Sequence, residues 1–360
     1  MEIHQIVVSA SAGDAVTNTA LGFQEVLQRA GPSRLFARYI DERLHGRVFP
    51  LAAYDTGADP DDLLVYHVSI GEPEVLQFLL GHPQRLVIVY HNITPPEFFQ
   101  EFDPAFAGLL ARGRAELEVL RDRASLALAV SPYNARELER LGFADVRVSP
   151  LPVDLAGLQA VEADPATAEA LRRLEGPVVL YVGQLLPHKR PDLLLQAHHV
   201  LTTYLLPDAH LVLCGPPRAP GYHRALQEFA AAVNLAGVHF AGWVTGAQLA
   251  AYYRRAEVFA TMSEHEGFCV PLLEAMSFGV PVLARDHGAI PDTMGDAGLL
   301  LPPEDDPLLV AEATAELLTS EKLRMSLVER GRRRVASFGV DAANATFLGH
   351  LLTLLEVTSA

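Results

Sequence analysis

The stretch Val258-Phe-Ala-Thr-Met-Ser-Glu-His-Glu266-Gly-Phe-Cys-Val-Pro-Leu-Leu-Glu274-Ala-Met-Ser-Phe-Gly279 decides how the chain reads. Residues 258–262 are a short apolar run, which predicts a buried strand. Residues 263–269 are polar and hold Gly267, which predicts a turn at that strand's carboxyl end. Pro271 sits where the first turn of a helix tolerates proline, and Gly279 sits where a helix stops. The order is strand, acidic loop, helix N-terminus. Backbone N–H groups over residues 268–272 then lack helical partners, which makes a natural anion site. Glu266 and Glu274 bracket it. Carboxylates repel phosphates, so their task is to bind hydroxyl groups on either side of the anion. A ligand with hydroxyls flanking a diphosphate is a nucleotide sugar.

Glu266-Gly-Phe-Cys-Val-Pro-Leu-Leu-Glu274 resembles the E-x7-E motif of the retaining glycosyltransferases of GT-B fold, the large family-four group. The resemblance implies that Glu266 binds the donor sugar's hydroxyls and Glu274 the ribose, with Gly267, Phe268, Cys269 and Val270 lining the donor site. Two glutamates alone would describe an acidic loop and an ordinary helical glutamate. Gly267, Phe268, Pro271, Ala275 and the preceding strand make the match specific.

Composition is consistent with that picture. With 360 residues, half of them hydrophobic and a fifth charged, the chain predicts a globular protein of two domains. A formal net charge of −16 disfavours nucleic acid as the main partner, while leaving room for a local basic patch in peripheral contact with a membrane. No apolar run reaches the length of a membrane span, and the start lacks the basic region of a signal peptide. Cys214 and Cys269 show no metal-ligand spacing. A cytoplasmic protein, working if anywhere at the inner face of a membrane, is the expectation. Lysine is nearly absent: only Lys189 and Lys322 occur, against a background of arginine.

Strands are predicted at residues 3–9, 34–39, 63–67, 85–90, 126–130 and 146–149. Helices are predicted at 17–29, 74–80, 106–122 and 134–141. Such alternation predicts a parallel sheet with helices on both faces. Ligands of such sheets gather outside the strand carboxyl ends. There lie the Gly13–Asp14 loop, His67 and the run His91-Asn-Ile-Thr-Pro95. Histidine at such an edge caps a strand, binds a sugar hydroxyl or moves a proton. The resemblance brings Gly13 and Asp14 towards the donor phosphates and the acceptor, though the family often has two glycines there. His91-Asn-Ile-Thr-Pro95 resembles a loop near the sugar in related transferases, and Ser131-Pro-Tyr-Asn-Ala-Arg136 a turn that contacts the cleft. Asp59-Pro-Asp-Asp62 reads as a solvated acidic turn.

A second alternation is predicted from residue 178. Its first loop, Tyr181-Val-Gly-Gln-Leu-Leu-Pro-His-Lys-Arg190, resembles the family's Gly-Arg-x-x-x-x-Lys diphosphate loop. Gly183 and Lys189 match; Gln184 stands where arginine is usual, and Arg190 is the alternative source of that charge. Lys189 is a compact charge suited to a leaving diphosphate. Gly242-Trp-Val-Thr245 resembles the loop that frames the nucleobase, through the backbone of Val244.

The expectation is an α/β GT-B chain, two Rossmann-like domains facing each other across a deep cleft. Its parts are an acceptor domain (1–155), a linker (156–176), a donor domain (177–335) and a helix crossing back (336–360). The reaction expected is retaining, metal-independent hexosyl transfer from a nucleotide sugar to a glycan, lipid-linked or small-molecule hydroxyl. The mannosyl or glucosyl types of cell-surface polysaccharide or glycolipid synthesis are preferred. Catalytic candidates are Glu266, Lys189, His91 and Asp14, with no metal ligands and no cofactor. Rivals are a nucleotide-sugar epimerase of similar fold, an idle sugar-nucleotide-binding scaffold and a pyridoxal-phosphate phosphorylase. The last would need a Schiff-base lysine, for which Lys322 on an amphipathic helix is unsuited.

Overall fold

The structure, a computed structural model, describes residues 1–54 and 59–357. In chain order it runs β1 (Ile3–Ala10), α1 (Ala15–Ala30), β2 (Leu35–Ile40), β3 (Phe49–Pro50), β4 (Leu63–Val68), α2 (Pro73–Gly81), β5 (Arg85–Tyr90), α3 (Pro104–Arg121), β6 (Ala124–Ala129), α4 (Pro132–Arg140) and β7 (Val146–Val148). There follow α5 (Leu155–Ala160), α6 (Pro165–Arg172), β8 (Val178–Val182), α7 (Pro191–Val200), β9 (His210–Cys214), α8 (Pro220–Ala232), β10 (Val238–Gly242) and α9 (Gly246–Arg255). The rest is β11 (Val258–Thr261), α10 (Val270–Ser277), β12 (Val282–Arg285), α11 (Ile290–Met294), β13 (Gly298–Leu301), α12 (Pro307–Thr319), α13 (Glu321–Val335) and α14 (Val340–Val357). Two compact units result: Met1–Val153 with Phe338–Ala360, and Asp154–Ser337. The expected helix over 336–360 extends three residues beyond the described ones. No single helix among the described residues is long and apolar enough to cross a membrane.

The first unit is a parallel sheet of order β3-β2-β1-β4-β5-β6-β7. Strands covered on both faces need near-continuous apolar runs, and residues 6–8 and 86–90 supply them. Its helices begin on side-chain caps: Asp14 accepts from Thr17 N, Asp103 from Phe106 N and Ser131 from Asn134 N. Pro104 and Pro132 occupy the first helical turn, so α3 and α4 start two residues before the predicted 106 and 134. The acidic turn at 59–62 is solvated only in part, since Asp62 is buried and accepts the Glu2 N–H. Phe347 of α14 stacks on Phe23 of α1 with centroids 3.8 Å apart, both rings buried. Phe347→Ala is therefore expected to lower unfolding free energy by about 3–5 kcal/mol, read by urea denaturation.

The second unit is a parallel sheet of order β10-β9-β8-β11-β12-β13. β13 and α11 have no counterpart in the sequence expectation. The stretch 156–176, expected as a linker, instead contributes α5 and α6, which pack on α10 and α9. Arg254 fixes it by donating to the carbonyls of Gln159 (2.9 Å) and Val161 (2.8 Å). In both sheets the strand order reverses beside the first strand, between β1 and β4 and between β8 and β11. Ligands of doubly wound sheets bind outside the strand carboxyl ends at that reversal.

Candidate active site

The loops after β8 and β11 flank the reversal in the second unit. After β8 the chain turns at Gly183, whose N–H donates to the Cys214 carbonyl at 2.9 Å. A Cβ on Gly215 would lie 1.8 Å from the Gly183 carbonyl oxygen, so only glycine lets the two turns meet. The loop closes in a tight turn over Pro187–Lys189. There Lys189 Nζ lies 2.6 Å from Glu266 Oε1, with both side chains largely covered. The two motif residues thus form one ion pair.

α10 starts on Cys269, which holds φ +68° and provides no side-chain cap. The N–H groups of Cys269 and Val270 have no acceptor among the described residues, and Pro271 brings none. An uncapped helix start beside a lysine has the electrostatics that favour an anion. The Cys269 thiol hydrogen-bonds Glu266, and burial first, then that carboxylate, push its pKa up; it is a protonated donor and no nucleophile. Gly267 and Phe268 complete the turn, with Thr293 Oγ1 donating to the Phe268 carbonyl.

Glu266 is also positioned from β12. Ala289 N donates to the Glu266 carbonyl at 2.9 Å. Gly288 holds φ +59°, and a Cβ there would sit 2.7 Å from the Glu266 carbonyl oxygen and 2.8 Å from its nitrogen.

Glu274, one turn into α10, accepts from the hydroxyl of fully buried Tyr253 at 2.8 Å. Burial pushes the Glu274 pKa up, and the Tyr253 hydrogen bond opposes that only in part. An acid with a raised folded-state pKa binds more protons in the native state, so its contribution to stability falls as pH rises through that pKa. Glu274→Gln is thus expected to raise Tm at neutral pH, with the gain shrinking as pH falls through the raised folded-state pKa and gone below the ordinary carboxylate value. Thermal unfolding of both proteins across pH checks this.

Arg190, the alternative source of the diphosphate cation, is held by carboxylates. Its guanidinium pairs with Asp192 at 3.0 Å, Asp305 at 2.6 Å and Glu264. Burial works against its charge, but these carboxylates outweigh it and hold its pKa above the ordinary value. Arg285, almost wholly buried, shares Asp305 at 2.6 Å. Both arginines brace the loops around Lys189 and Glu266. Gln184 is partly exposed, and its carbonyl accepts from Tyr181 Oη at 3.0 Å. Val244 lies in the loop between β10 and α9, beside Trp243, which is 65% exposed and not a packing residue. Lys322 is exposed on α13.

In the first unit Gly13 (φ +83°) forms an exposed tip between β1 and α1. Asp14 Oδ2 accepts from Thr17 N at 3.0 Å and Thr17 Oγ1 at 3.2 Å, so this carboxylate serves as the α1 cap. His91 follows β5, and its Nε2 lies 2.8 Å from Nδ1 of buried His67. Its loop is anchored by Asn92 donating to Asn134 Oδ1 at 2.7 Å and by Arg114 donating to the Ile93 carbonyl at 2.9 Å. The Ser131–Arg136 segment therefore matters through Asn134, which orients the histidine loop.

Residues 165–334 match the family model described as glycosyl transferases group 1. That match lies within the second unit. The likeness extends to the D-inositol 3-phosphate glycosyltransferase of Salinispora arenicola, 34% identical over 52% of this chain and 45% of the relative. It extends also to O-antigen chain mannosyltransferase B of Escherichia coli, 28% identical over 63% of this chain and 60% of the relative. The matched stretch thus spans about half the length of these curated relatives. The whole chain resembles the crystal structure of Anabaena Alr3699/HepE in complex with UDP and glucose, with TM-score 0.78 and 18% identity over 98% of this chain and 100% of that one. Its fold is GT-B, two Rossmann-like units. In the second unit, motif reading missed Tyr253, Gly215 and Gly288. A tyrosine on the covered face of α9 was the one available signal; single glycines in loops give none.

Proposed function

We propose that the protein is a retaining glycosyltransferase that moves a hexose from a nucleotide diphosphate sugar to a hydroxyl acceptor. The observation that carries this is the Lys189–Glu266 pair set against the uncapped start of α10, with Glu274 one turn further on. In this reading Glu274 takes the ribose hydroxyls. Lys189 and the N–H groups of Cys269 and Val270 take the diphosphate, and Glu266 takes the sugar hydroxyls. Gly183, Gln184 and Val244 line the rest of the donor site; Gly13, Asp14 and His91 are the acceptor candidates of the first unit.

The bond between the sugar's anomeric carbon and the phosphate oxygen breaks, and the acceptor oxygen bonds to that carbon from the same face. The acceptor's proton passes to the departing phosphate oxygen, so no separate nucleophile is required. Charge gathering on the diphosphate meets Lys189 and the helix start, which stabilises the transition state more than the ground state. That provision makes the reaction independent of metal.

UDP is the favoured leaving group, because the HepE structure that this fold resembles carries UDP and glucose. A cyclitol-phosphate or glycan-chain hydroxyl is the favoured acceptor, by likeness to relatives named for D-inositol 3-phosphate and an O-antigen chain. We place the activity in the cytoplasm, at the inner face of a membrane when the acceptor is lipid-linked.

The test is incubation with a panel of nucleotide sugars in EDTA, with and without acceptors. Nucleoside diphosphate should appear only with an acceptor, and the product should keep the donor's anomeric configuration. Acceptor-free interconversion of sugars, or inversion, would contradict the reading.

A further inference from the structure

The first unit contains a line of buried polar side chains that the motifs do not explain. Gln5 on β1 and His67 on β4 sit on adjacent strands, and His91 begins the loop after the next strand, β5. Gln5 Nε2 donates to the Ala20 carbonyl and to Gln24 Oε1, each at 2.9 Å. A carbonyl only accepts, so the Gln5 amide has one orientation, with Oε1 turned to His67 Nε2 at 2.9 Å. His67 Nε2 must therefore carry a hydrogen. His67 has no exposure, and burial first, then His91, hold its pKa far down, so its Nδ1 is a bare lone pair. His91 Nε2, 2.8 Å away, must then be the donor. His91 is itself kept neutral by burial, which leaves its Nδ1 as a lone pair with no partner among the described residues. The two histidine rings lie within 27° of coplanar with centroids 5.1 Å apart, the end-to-end spacing of an in-plane N–H···N bond, and Phe23 packs on His67 at 6.3 Å.

We propose that Gln5 and His67 are positioning residues that lock His91 in its Nε2–H tautomer, so that its Nδ1 accepts a hydrogen bond from a substrate hydroxyl. The second half of this rests on the transferase reading; the tautomer lock does not. It specifies more than a histidine near a sugar. The ligand group at His91 is an O–H donor, and an ether oxygen or anionic oxygen placed there would be repelled by the lone pair.

The experiment is a two-bond proton–nitrogen correlation spectrum of the protein carrying isotope-labelled histidine, with His91 assigned by its loss in His91→Ala. The expected result is a proton on His91 Nε2 and none on Nδ1. Saturating nucleotide sugar plus acceptor should shift the Nδ1 resonance. His67→Phe keeps a ring but no nitrogen; it should let both His91 tautomers appear and lower kcat/KM on the order of 10-fold. His67→Gln keeps one donor and one acceptor and should restore most of both. A protonated Nδ1 in the parent, or an unchanged tautomer in folded His67→Phe, would overturn the lock. An unmoved Nδ1 in protein that demonstrably binds the nucleotide would overturn the hydroxyl assignment. Failure to bind any nucleotide would count instead against the transferase reading, with the lock still decided by the ligand-free spectrum.

Discussion

Lys189→Ala is expected to lower kcat by about 10²–10³-fold, the effect of removing one preorganised group that stabilises developing charge. The expectation is this large because the neighbouring cations are committed elsewhere. Arg190 is bound by Asp192, Asp305 and Glu264, and Arg285 by Asp305 and Glu264. Neither is free to turn to a diphosphate. The same substitution strips Glu266 of its ion partner at a largely covered position, which should destabilise the fold by about 2 kcal/mol. A double variant Lys189→Ala/Glu266→Gln should recover much of that stability and none of the activity. Steady-state kinetics and urea denaturation of the four proteins in the cycle give both readings.

Gly288→Ala is the second large effect, and it acts with no change of charge. The added methyl would meet the Glu266 backbone at 2.7–2.8 Å, and φ of +59° disfavours any residue with a Cβ. The left-handed conformation costs about 1–3 kcal/mol. Relief of the clash must move the Glu266 segment, since the obstacle is backbone and not a flexible side chain. A displacement near 1 Å at a reacting centre costs on the order of 10²-fold in rate. Glu274 lies one turn into α10 and is held separately by Tyr253. The expected signature is a fall in kcat with nucleotide affinity nearly unchanged, measured by calorimetric titration beside the kinetics.

The candidate site in the second unit was legible because its signals are local. A short apolar run, a glycine turn and a proline in the first helical turn bring Glu266 and Glu274 to one helix start. The scarcity of lysine singled out Lys189. Parts that depend on distant segments were not legible. The Tyr253–Glu274 bond joins α9 to α10, and Gly288 meets Glu266 across two strand-end loops. Cys269 adopts a left-handed φ that glycine usually fills, so its residue type gave no warning. Arg190 looked like a phosphate ligand because sequence cannot show that Asp305 lies beside it. Edge strand β13, whose residues 298–301 read Gly-Leu-Leu-Leu, lacks the β-branched composition that marks strands. The 156–176 stretch lacked strong periodicity because its two helices are short, six and eight residues.

The central claim is that the start of α10, Lys189 and Glu274 together hold a nucleoside diphosphate. Thermal unfolding in the presence of UDP, GDP and their sugars tests it most directly, with Lys189→Ala and Glu274→Ala beside the parent. The account predicts that one diphosphate raises Tm of the parent and raises it less in both variants. No shift with any nucleotide, or a shift undiminished in both variants, would contradict it.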